Sequence, residues 1–138
     1  MAAVRAGAAN DLNSPQLVAA LATVWEKSLP LLRQRVQVLQ QAMRELRAGT
    51  LHPVLQEAGA GEAHRLAGLL GTFGYPEGTD AARLLEQSLD APVLDTSPAM
   101  LDRLDAAVAA LHGIVCEAGD VSPACQAAEA IVVDDALL

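Results

Sequence analysis

Ala63-His64-Arg65-Leu66-Ala67-Gly68-Leu69-Leu70-Gly71-Thr72-Phe73-Gly74 is the stretch around which the 138-residue chain is organised. Leu66, Leu69, Leu70 and Phe73 stand at i, i+3, i+4 and i+7, the apolar stripe of an amphipathic helix. His64 falls on the other side of that helix, so the spacing predicts an imidazole turned towards water. Its neighbours three, four and seven positions away are Glu57, Ala60, Gly61, Ala67, Gly68 and Gly71, a clearing of mostly small residues. A glycine in a helix interior costs about 0.8–1 kcal/mol relative to alanine. Several in one helix point to another surface that must come close. The competing explanations are a helix broken near 59–61, or tight packing against a neighbouring helix at Gly68 and Gly71.

Working outward, the punctuation divides the chain into helices. Ser14-Pro15 reads as an N-cap and first helical position, with Leu17, Val18, Leu21, Val24 and Trp25 as an apolar face over a helix of about 15–27. Pro30 is expected to restart the chain. Behind it Leu32, Val36, Leu39, Met43 and Leu46 alternate spacings of four and three up to Gly49, the seam of a bundle helix. The His64 helix begins near Thr50 or His52-Pro53 and stops at Gly74. A shorter helix from Pro76 or Thr79 uses Ala82, Leu85 and Leu89 and ends at Asp90-Ala91-Pro92. Ser97-Pro98 opens the last, with Leu101, Leu104, Val108, Leu111 and Val115 as its seam and an end near Gly119. The fold class is therefore all-α: an antiparallel four-helix bundle with an additional N-terminal helix, whose two longest seams form facing staves. Residues 1–13 read as a leader, 14–119 as the bundle and 120–138 as a separate tail.

Composition agrees with helices. Apolar residues make up 52% of the chain, yet Trp25, Phe73 and Tyr75 are its only aromatics, so the core must be aliphatic. No apolar run reaches the roughly 18 residues of a membrane span and none resembles a secretion signal, which places the protein in the cytoplasm. The net charge of −8, with a single lysine, argues against nucleic acid as a partner. Residues 1–50 carry six basic and three acidic side chains and residues 51–138 three and fourteen, an asymmetry read chiefly as a device for solubility. Cys116 and Cys125 have no companions at metal-ligand spacing and read as buried or idle thiols.

Most chemistries are excluded near His64. Residues 52–71 hold no serine or cysteine to act as a nucleophile beside it, no second histidine at i+4, and no metal ligand on its face other than Glu57. The chain has neither a phosphate-binding loop nor a dinucleotide fingerprint, so it has no kinase activity of its own. His52 and His112 read as ordinary solvated side chains. A lone exposed imidazole can still act as a nucleophile if a partner supplies the remaining groups.

His64-x-Leu66-x-Gly68-x-x-Gly71-x-Phe73-Gly74 resembles the signature of histidine-containing phosphotransfer (HPt) domains, and the resemblance covers about residues 15–118. It implies a four-helix bundle with the histidine outward on a central helix. His64 would be the phosphoacceptor, taking a phosphoryl group from a receiver-domain aspartate or a histidine kinase and passing it to another receiver aspartate. Arg65, Ala67, Gly68, Gly71 and Gly61 would form the docking face. The chain would need no cofactor, the partner receiver bringing Mg²⁺. Where the family usually has lysine, three residues after the histidine, this chain has Ala67; Arg65 and Arg83 are the candidates to support phosphate instead. Without that lysine, the alternative is a docking bundle that binds a receiver or kinase and carries no phosphate. Ile131-Val132-Val133-Asp134-Asp135 resembles the first strand of a receiver domain, and implies that one follows.

Overall fold

The computed structural model describes residues 14–116, and within them the chain forms four helices: α1 (Pro15–Ala48), α2 (Pro53–Thr72), α3 (Pro76–Leu89) and α4 (Pro98–Val115). The expectations for residues 1–13 and for the tail from 120 lie outside the described residues.

Each helix starts on a proline, the residue whose missing N–H and fixed φ suit the first helical position. Three have a side-chain cap as well. Ser14 Oγ accepts from the Leu17 amide at 3.1 Å, Ser97 Oγ from Met100 at 3.3 Å, and His52 Nδ1 from Val54 at 3.1 Å. His52, expected to be merely solvated, is thus the N-cap of α2. At the other ends Gly49 and Gly74 take φ of 75° and 85°, the left-handed conformation that lets the chain turn off a helix. The amides of Gly74 and Tyr75 then return to the carbonyls of Gly71 and Leu70, which fixes where α2 gives way to α3.

Contacts between helices set an antiparallel register all round the bundle. Between α1 and α2, Arg35 meets Glu62 and Ala42 lies against Gly59. Between α2 and α3, Gln56 bonds to the Leu89 carbonyl, His64 to Glu86, and the Ala67 carbonyl to Thr79. Between α4 and α1, Arg47 holds Asp102 at 2.8 Å and also Asp105, while the Arg33 Nε donates to the Val115 carbonyl at 2.7 Å. Gly78 packs against Ile114 and joins α3 to α4. The four helices therefore close a ring around one core.

That core is the set of seams. Leu32, Val36, Leu39, Met43 and Leu46 of α1 are buried, and so are Leu66 and Leu70, Ala82, Leu85 and Leu89, and Leu104, Val108, Leu111 and Val115. Fully burying a leucine of this kind stabilises by about 1.5–3 kcal/mol.

Three expectations are corrected. The chain does not restart at Pro30: the separate N-terminal helix and the first stave are one 34-residue helix with Pro30 inside it. An interior proline removes one hydrogen bond and costs about 3 kcal/mol. Trp25 and Leu29 pack against the core on the near side of Pro30, as Leu32 does on the far side, and this packing carries the helix across. The second correction concerns the apolar face of residues 17–25. Trp25 packs on Phe73 and Tyr75, each at a ring-centroid distance of 5.0 Å, but Val18, Leu21 and Val24 are exposed. Third, Cys116 is disulfide-bonded and is not an idle thiol.

Candidate functional site

His64 occupies the middle of α2, with 74% of its side chain exposed. The reason is the rest of the helix: Ala63, Leu66, Ala67 and Leu70 are all buried, and a helix that buries those four must turn residue 64 outward. The helix runs unbroken through Gly59 and Gly61.

The ring has a hydrogen-bond partner on the neighbouring helix. Its Nδ1 lies 2.8 Å from Glu86 Oε2, on α3, where the carboxylate accepts from an Nδ1–H. A proton held at Nδ1 leaves the lone pair on Nε2, the nitrogen on the open side of the ring. The same pairing of a carboxylate with an imidazole holds a histidine in its reactive tautomer in hydrolytic triads. Glu86 is absent from the sequence reading. Its signal is a register between two helices, 22 residues apart, which no local pattern encodes.

The imidazole borders an open cleft of about 320 Å³ between α2 and α3. Glu57, Ala60 and Gly61 line it from one side of the histidine, and Glu86 and Asp90 from α3 and its end. Arg65 also borders it, but its guanidinium is held at 2.9 Å by Glu62, whose other oxygen takes Arg35 at 2.7 Å.

The remaining candidate residues divide by position. Gly68 is exposed, and a Cβ there would meet nothing within 4 Å, so it forms open surface beside His64. Gly61 has only Arg65 within reach, at 3.6 Å. Gly71 is exposed, yet a Cβ would come within 3.3 Å of Thr79 Oγ1, so its small size serves the α2–α3 contact too. Ala67 does not belong to an exposed face: it is 7% exposed, and its carbonyl takes the Thr79 hydroxyl at 3.0 Å. Arg83 is exposed on α3 three residues before Glu86 and is not among the residues lining the cleft.

Among the described residues no group of three or more histidine, cysteine or acidic side chains is placed to hold a metal ion, and no helix is long and apolar enough to cross a membrane. What the site offers is one accessible imidazole, hydrogen-bonded through Nδ1, at the edge of an open cleft.

Residues 23–114 match the family model described as Hpt domain, well over half of the chain. The match begins where α1 meets the aromatic contacts of Trp25 and ends at the last turn of α4. No curated protein and no solved structure matches the chain.

Proposed function

The chain belongs to the Hpt domain family, and from that premise we propose that it is a phosphorelay intermediate with His64 as its phosphoacceptor. The observation that carries this reading is the His64–Glu86 pair: an imidazole 74% exposed, with Nδ1 occupied and Nε2 free to react.

In the proposed step the Nε2 lone pair attacks the phosphorus of an aspartyl phosphate on a receiver domain. The N–P bond forms as the P–O bond to the aspartate breaks, and the aspartate leaves as a carboxylate. Glu86 keeps the Nδ1 proton and faces the positive charge that develops on the ring. The reverse step delivers the phosphoryl group to a second receiver. A receiver brings its own Mg²⁺ and acidic pocket, so this domain contributes presentation and positioning. Gly68 and Gly61 keep the approach to His64 low, and the family match supports a receiver or a histidine kinase as partner. A cytoplasmic location, and a receiver domain following residue 138 in the same polypeptide, belong to this proposal.

The test is transfer from a phosphorylated receiver domain. His64→Gln is expected to abolish the acid-labile label while leaving the far-ultraviolet circular dichroism unchanged. Label that persists in the variant overturns the assignment.

Ala67 favours a second reading, a docking bundle that binds a receiver without accepting phosphate. The family's lysine is absent there, and the position is buried. That reading predicts receiver binding by calorimetry with no label on the wild-type chain.

A further inference from the structure

The cleft beside His64 is lined by three carboxylates, Glu57, Glu86 and Asp90, against one guanidinium, Arg65. Glu57 and Asp90 line the cleft beside it, and neither has an ion pair or hydrogen bond among the described side chains. Glu86 is occupied with the ring nitrogen. The cation expected three residues after the histidine is missing, and Ala67 is packed into the α2–α3 contact. Arg65 is the one cation bordering the cleft, and it is tied into the Glu62–Arg35 network on the α1 side. A phosphoryl group on Nε2 would place a dianionic group at the open side of the ring, and even with the positive charge on the ring the site gains about one net negative charge.

We propose that Glu57 and Asp90 raise the free energy of phosphorylated His64, so that the equilibrium with a receiver lies on the aspartyl-phosphate side and this domain passes phosphoryl groups on without accumulating them. The proposal rests on His64 being the phosphoacceptor. Its chemistry is the reversible exchange described above: an N–P bond breaks, a P–O bond to the receiver aspartate forms, and the imidazole recovers its Nε2 lone pair. The two carboxylates touch neither bond. They act through space on the dianion, and only in the phosphorylated state, so they change the position of the equilibrium without changing the fold. Because both sit at the surface, salt should weaken their effect.

The measurement is the ratio of label on the chain to label on a receiver domain charged with radiolabelled acetyl phosphate, taken at equilibrium at low and high sodium chloride. Glu57→Gln and Asp90→Asn are each expected to raise the chain's share about threefold, the size of a screened surface interaction. The double variant should raise it further. High salt should raise the share in the wild type and do little in the double variant. An unchanged ratio in all three variants, with His64 still labelled, overturns this proposal and leaves the phosphoacceptor assignment standing. If the charged receiver labels neither the wild type nor any variant, the assignment itself fails and the proposal with it.

Discussion

Gly68 and Gly78 lie ten residues apart and answer opposite demands. At Gly68 a side chain would enter open space, so Gly68→Ala should stabilise the bundle by about 0.5–1 kcal/mol through helix propensity alone. At Gly78 a Cβ would lie 2.8 Å from both Ile114 Cδ1 and Leu70 Cδ1. Gly78→Ala should therefore destabilise by about 1–3 kcal/mol, overpacking outweighing propensity. Paired urea melts of the two variants check both signs. The contrast explains how far single residues were legible in the sequence. His64 was readable as outward because its own helix decides that by periodicity. Glu86, Thr79 and the burial of Ala67 depend on where α3 lies against α2, and no spacing within one helix contains that information.

Helix starts were legible for the same local reason: a proline at the first helical position is a short-range signal that all four helices obey, and in three of them a serine or His52 before it adds a side-chain cap. Pro30 is the instructive failure. Locally it reads as a restart, but Trp25 and Leu29 continue the buried seam in phase with Leu32 and Val36, and tertiary packing holds the helix through the missing hydrogen bond. Pro30→Ala should restore that bond and raise the thermal midpoint, by an amount corresponding to at most about 3 kcal/mol. A lower midpoint would mean that Pro30 relieves strain elsewhere in α1. The start of α4 has its own pH dependence. Asp95 accepts the Ser97 amide at 2.9 Å, and that hydrogen bond holds its carboxyl below the ordinary carboxylate range. Its contribution to capping α4 is therefore present at neutral pH and is lost as pH falls through the lowered value. A proton NMR titration should find the Ser97 amide shifting with a midpoint below about 3.8, the ordinary value for an aspartate.

At the scale of the whole molecule, four antiparallel helices in a ring place His64 on the outer surface between α2 and α3, while the ion pairs of Arg47 and the Arg33–Val115 bond fasten α1 to α4. The fold class was legible because each stave carries its own seam, and the ring follows from burying four seams at once. The aromatic cluster adds a property of a different kind. Trp25, Phe73 and Tyr75 are every aromatic side chain in the protein, and they meet at one corner, where α1 crosses the end of α2 and the start of α3. The intrinsic fluorescence of this molecule thus comes from a single place, the corner where these three side chains meet. An unfolding curve followed by tryptophan emission observes the α1–α2–α3 corner, whereas far-ultraviolet dichroism observes all four helices. Coincident curves would establish that the ring melts as one unit, and an early loss of fluorescence would identify the docking of α1 as its weakest joint.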